Sequence, residues 1–210
     1  MLISHSHSLL YIHIQKTAGT SLSRYLRDEI ADLQDFLRPH DPLVYAQRTL
    51  GASFCKYTKV GFVRNPFDRL VSWYSMISAH GKALSEREIT QNPNYNRIWQ
   101  YVLTHSSCFE EFIVACSRAT DRSGWKPFLF NQTDYFKTSD GIIDADFIGR
   151  FEHLDKDFGR LCGLLGISHR RLPHVNKSNH LDYRSYYSDK SRAIVEQRFA
   201  EDLDYFGYTF

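Results

Sequence analysis

The stretch LLYIHIQKTAGTS, Leu9 to Ser21, decides how this chain is read. Leu9, Leu10, Tyr11, Ile12 and Ile14 form a short apolar run with the character of a buried strand. It empties into Gln15, Lys16, Thr17, Ala18, Gly19, Thr20 and Ser21, which bring a cation, small residues and three hydroxyls. Leu22, Tyr25, Leu26, Ile30 and Leu33 then recur at helical spacing, so a helix is predicted from the end of the loop until near Asp35. Strand, small-residue loop and helix start together make an anion site, because unpaired amides and the positive end of the helix dipole point to one place. Lys16 adds a full charge and the hydroxyls add donors. The nucleoside-triphosphate loop GxxxxGK[ST] carries its Lys after the second Gly, whereas Lys16 precedes Gly19. Taken alone, the loop fits equally well an ordinary strand-to-helix turn with a surface lysine.

Working outward, Arg38-Pro39-His40-Asp41-Pro42 breaks the helix and holds His40 in an extended, Pro-stiffened segment. A short helix is expected over Leu43 to Leu50, and Tyr57 to Val63 reads as a second buried strand. That strand stops at Arg64. Asn65 is a favoured N-cap and Pro66 a favoured first helical residue, with Phe67, Leu70, Val71, Tyr74 and Ile77 lining one face of the helix that follows. Ser72 lies two turns into this helix. Residues 79 to 97 are polar and lack clean periodicity, so a flap or acceptor-binding segment is expected at about 79–130. A third strand is expected at Phe147 to Phe151, a helix at Leu154 to Leu165 closed by Gly166, and a last helix from Ser188 or Asp189. Strands alternating with helices predict an α/β fold. It is read as a single domain, 1–210, with one doubly wound parallel sheet flanked by helices around a P-loop-like nucleotide-binding core. Ligands then bind at the carboxyl ends of the strands, where Lys16 and Arg64 fall.

The composition narrows the classes. At 210 residues, 42% hydrophobic and 24% charged, the chain has the make-up of one globular domain with a real core. A formal net charge of +2 gives no bulk attraction to nucleic acid. Cys55, Cys108, Cys116 and Cys162 lack metal-ligand spacing and read as buried free thiols of a reducing cytoplasm. The first apolar run is too short for a signal peptide or an integral membrane segment, and His5 and His7 are expected at a frayed end. Cytoplasmic localisation follows as the expectation, and oligomeric state has no signature here.

The second motif, GFVRNPFDRLVSWY from Gly61 to Tyr74, carries the specificity. An Arg fork at a strand tip with a hydroxyl two helical turns on would hold a second anion. KTAGTS followed by FVRNPxDRLVSxY resembles the sulfotransferase superfamily that uses 3′-phosphoadenosine 5′-phosphosulfate (PAPS). The likeness is strongest to the carbohydrate branch of heparan 2-O- and chondroitin 4-O-sulfotransferases and their small bacterial relatives. FIGRFEHLDKDF, HVNKSNH and the C-terminal segment from Tyr186 extend the resemblance over nearly the whole chain.

The resemblance implies a first site at Lys16, Thr17, Ala18, Gly19, Thr20 and Ser21 for the 5′-phosphosulfate. It implies a second at Arg64 and Ser72 for the 3′-phosphate, with Asn176 and Lys177 in a late loop near the nucleotide. It also implies a catalytic His between the two motifs, and His40 is the only one there. Lys16 would stabilise the leaving phosphate, His40 would take the acceptor proton, and Glu152 is a second candidate base or an orienting group. His13, on the strand, reads as a core or supporting residue. The implied reaction moves a sulfuryl group from PAPS to a hydroxyl, on a carbohydrate or another acceptor, releases 3′-phosphoadenosine 5′-phosphate (PAP), and needs no metal. Two other readings stay open: a small-molecule kinase of P-loop type, and a non-catalytic nucleotide- or polysaccharide-binding module on a degenerate sulfotransferase fold.

Overall fold

A computed structural model describes residues 1–81, 88, 91, 97–120, 124–172 and 181–210. Five strands form one sheet: β1 (Leu2–Ser4), β2 (Leu9–Ile12), β3 (Gln34–Asp35), β4 (Thr58–Val63) and β5 (Phe147–Arg150). Their order across the sheet is β3-β1-β2-β4-β5. The core β2-β4-β5 is parallel, with Tyr11 opposite Val60 and Gly61 opposite Ile148. All four residues of β2 are buried, as a parallel strand covered on both faces must be.

The sheet is mixed rather than wholly parallel, and the departure lies at the N-terminus. Where a frayed end was expected at His5 and His7, the residues just before them, Leu2–Ser4, form the buried strand β1, antiparallel to β2 and to β3. Two antiparallel steps leave β3 parallel to β2, so the ends of β3, β2, β4 and β5 share one edge of the sheet. The turn that joins β1 to β2 is held by Asp32, which accepts hydrogen bonds from the backbone N–H groups of His5 and Ser6 and from both Ser4 Oγ and Ser6 Oγ. His5 is hydrogen-bonded to Tyr57. Strand β3 also shortens the first predicted helix.

The eight α-helices among the described residues are α1 (Gly19–Glu29), α2 (Leu43–Leu50), α3 (Pro66–Gly81), α4 (Arg97–His105), α5 (Phe109–Ala115), α6 (Leu154–Leu165), α7 (Asp189–Arg198) and α8 (Ala200–Phe206). Several begin and end where their residues dictate. Asn65 Oδ1 accepts from the Phe67 amide at the start of α3, Gly166 takes the left-handed conformation that closes α6, and Ser188 forms a capping box at the start of α7. The expected last helix is broken at Phe199 into α7 and α8. The aromatic stretch before Lys137 is a 3-10 turn, Thr133–Phe136.

The chain divides into two compact units, Met1–Arg64 with Gln132–Lys177, and Asn65–Asn131 with Ser178–Phe210. In the first, Leu22, Tyr25 and Leu26 of α1 and Phe158 and Leu161 of α6 share a core with Leu9, Tyr11, Val60 and Phe62 of the sheet. Each such side chain contributes roughly 1.5–3 kcal/mol by leaving water. The second is built around Phe67, Leu70, Phe109, Phe112, Phe128 and Phe199. Of the cysteines, Cys116 and Cys162 are buried as expected, whereas Cys55 and Cys108 are exposed, and all four are free. Among the described residues no helix is long and apolar enough to cross a membrane.

Candidate active site

The candidate residues of the first unit gather where the parallel strands end. After β2 the backbone turns through Lys16 at φ 69° and Ala18 at φ 65°, both left-handed. Left-handed residues alternating with their neighbours turn successive amides inward, the geometry of an anion-holding nest. Ala18 is the N-cap of α1, with no side-chain cap and no acidic residue in the first turn. The first amides of the helix and its dipole are therefore not satisfied by a cap from the chain. Thr17 is buried, and its hydroxyl donates to the Ile14 carbonyl at 2.9 Å. That bond ties the hydroxyl to the loop's own backbone. Gly19 is required for space: a Cβ there would lie 1.9 Å from the His13 ring. Thr20 is exposed and Ser21 half-buried at the start of α1.

Arg64 follows β4 and is buried. Its Nη1 donates to the Lys16 carbonyl at 3.1 Å, and its guanidinium lies 4.0 Å over the Phe151 ring. The side-chain amide of Gln132 clamps its backbone, accepting from Arg64 N at 2.9 Å and donating to Arg64 O at 2.8 Å. Burial, and after it the Arg64 charge, lower the Lys16 ammonium to about 8. Two cations brought together in a part-buried site favour negative charge beside them.

His40 stands beyond the end of β3, half-buried and at φ 71°. Its Nδ1 lies 2.8 Å from the His13 carbonyl and its ring meets the His13 ring edge-on at 4.6 Å. Glu152 is exposed in the 3-10 turn Phe151–His153 after β5. Ser72 is buried in α3, in the second unit. Asn176 and Lys177 lie outside the described residues, as does part of the 79–130 segment. Gln132 and Phe151, which hold Arg64, were not found by sequence reasoning; their partners are remote in the chain and no local pattern marks them.

Beside this edge lies a cavity of about 410 Å³, with His13, Thr20, Ser23, Arg24, Asp28 and Pro39 among its lining residues. Arg27 and Asp35, also in its wall, pair with each other at 2.7 Å. Among the described residues no group of three or more His, Cys, Asp and Glu is placed to hold a metal ion.

A parallel-centred α/β sheet with a nested loop, a helix N-terminus and two cations at neighbouring strand ends has the layout of anion sites in nucleotide-binding α/β folds. Comparison with protein families sharpens this class: the Sulfotransferase family model matches residues 1–209, and the chain belongs to that family. Its members are PAPS-dependent enzymes, so the chain is a sulfotransferase with PAPS as the implied donor. Among solved structures, a sulfotransferase from Alicyclobacillus acidocaldarius is similar at 15% identity, over 95% of this chain and 96% of that one, with a TM-score of 0.42. That likeness is too distant to carry residue roles. No curated protein sequence matches the chain.

Proposed function

We propose that this enzyme transfers the sulfuryl group of PAPS to a hydroxyl of a carbohydrate acceptor, with Lys16 at the leaving phosphate and His40 as the base. The observation that carries the reading is the convergence of Lys16 and Arg64 on one nested loop at the start of α1. The chemistry supplied by PAPS is an activated sulfuryl group with a phosphate leaving group. The loop amides of Thr17 to Ser21 and the Lys16 ammonium hold negative charge, and Lys16 meets the charge that grows on the departing oxygen. Arg64 holds the 3′-phosphate, and Ser72 keeps the role its motif gives it. Asn176 and Lys177 retain their proposed place near the nucleotide, and Glu152 remains a candidate orienting group at the same sheet edge.

His40 takes the acceptor proton at the ring nitrogen that is not hydrogen-bonded to the backbone carbonyl. The 410 Å³ cavity supports an acceptor site on the His40 side of the loop. Arg24, Asp28, Thr20 and Ser23 offer a polyhydroxylated ligand donors and acceptors beside an apolar wall of Met1, Leu2 and Pro39, and the cavity's size lies in the usual range for small-molecule sites.

Calorimetric titration with PAP, beside AMP and beside ATP with Mg²⁺, tests the reading. PAP should bind without metal and more tightly than either comparison nucleotide. Arg64→Ala should weaken it by about 30- to 100-fold, the worth of a charge-assisted pair. A preference for ATP with Mg²⁺, or PAP affinity indifferent to Arg64, would overturn the assignment.

A further inference from the structure

His13 closes β2 at the point where the donor loop begins. One face of its ring stacks on Tyr11 at 6.2 Å, and its edge contact with His40 is the closer of the two at 4.6 Å. The same ring covers Gly19 so closely that no side chain fits there. Its backbone carbonyl meets His40 Nδ1 at 2.8 Å. A carbonyl oxygen has lone pairs and no proton, so Nδ1 is the protonated nitrogen and the lone pair of the neutral His40 ring resides on Nε2. His40 also sits in the left-handed region, which costs a non-glycine residue roughly 1–3 kcal/mol and persists only where the surroundings enforce it. His13 supplies two of those surroundings, one from its backbone and one from its ring.

We propose that His13 is a positioning residue for the base: its carbonyl selects the Nδ1–H tautomer of His40, and its ring, wedged among Tyr11, Gly19 and His40, fixes where Nε2 points. The proposal rests on the reading of His40 as the base. It couples two parts of the site, since one ring supports both the base and the first residue of the helix that closes the donor loop. Burial, followed by the neighbouring His40, lowers His13 itself to about 3, so it stays neutral beside an imidazole that gains a proton during turnover. A cationic neighbour at that distance would oppose the gain.

Long-range ¹H–¹⁵N correlation spectra of the full chain, labelled in its histidines and assigned with His40→Gln, read the tautomer directly and need no acceptor. Wild type should show the Nδ1–H pattern at His40. In His13→Ala the carbonyl remains but the ring that seats His40 against it is gone, so the pattern should move toward the Nε2–H form that prevails in free imidazoles, and His13→Phe, which keeps a ring, should restore it. If His13→Ala does not fold, His13→Leu fills the volume without a ring and carries the same expectation. A merely structural role would lower thermal stability and leave the tautomer unmoved. Nε2–H at His40 in wild type would overturn the role of the carbonyl, and an unchanged Nδ1–H pattern once the ring is gone would overturn that of the ring. PAP titration of the same samples separates this from the donor reading, because loss of PAP binding in wild type would remove that reading without altering the tautomer result.

Discussion

The two cations of the site sit at the ends of neighbouring strands and are built on opposite plans. Lys16 follows β2 in a left-handed conformation, half-buried, with its ammonium lowered to about 8. Arg64 follows β4 with its backbone N–H and C=O both paired to Gln132 and its guanidinium laid over Phe151. The Lys16 ammonium can give up its proton near pH 8. An adjustable charge in a strained loop suits the position where charge develops during the reaction. A charge clamped in place suits a phosphate that only has to be held.

That contrast is sharpest in the effect of removing each cation. Lys16→Ala should lower turnover by about 10²- to 10³-fold, the usual cost of losing a group that stabilises developing charge. Its loss of PAP affinity should be smaller, about ten-fold. Steady-state kinetics beside calorimetry would read both, and losses of equal size would erase the distinction between a reacting and a holding cation. Gln132→Ala is next in size. It strands the buried amide and carbonyl of Arg64, at about 1–3 kcal/mol for an unsatisfied group. Chemical denaturation should therefore show a loss of roughly 2 kcal/mol, accompanied by weaker PAP binding; unchanged stability would mean that Arg64 is held by other means.

The smallest effect is a proton. Bound phosphate should raise the Lys16 value back toward its ordinary 10.5 from about 8. Between those limits the complex holds more protons than the free protein, so PAP binding takes up part of a proton and affinity falls as pH rises past about 8. The unfolded chain also holds more protons there, so stability without ligand increases with pH across the same window. Titrations in two buffers of different ionisation enthalpy measure the uptake, and an affinity flat from pH 7 to pH 9 would count against a lowered Lys16.

Local signals in the sequence were enough for much of this architecture. The run from Leu9 into KTAGTS, the Asn65-Pro66 start of α3, the Leu43–Leu50 helix and the Gly166 cap all depend on neighbours within a few residues, and all are found in the structure. What escaped depends on distant partners. Met1 to Ser4 is too short to announce a strand, and its turn is tied by Asp32 from beyond α1. Gln132 reaches Arg64 across 68 positions, and nothing in NQTDYF distinguishes a backbone clamp from a surface amide. His13 was legible as a supporting residue but not as a neighbour of His40, because β3, which carries the chain back to the sheet edge before His40, lay at the tail of a predicted helix.

Ala18 has a consequence for how the loop meets its ligand. Glycine would adopt its left-handed conformation without strain, yet glycine would also open many other shapes to the segment. Ala18 and Lys16 both disfavour that conformation by themselves, so the cradle persists because its surroundings enforce it, among them the Thr17 hydroxyl on the Ile14 carbonyl and the His13 ring over Gly19. Encounter then needs little rearrangement of the chain, and the affinity of the site reflects its contacts more than the cost of ordering it.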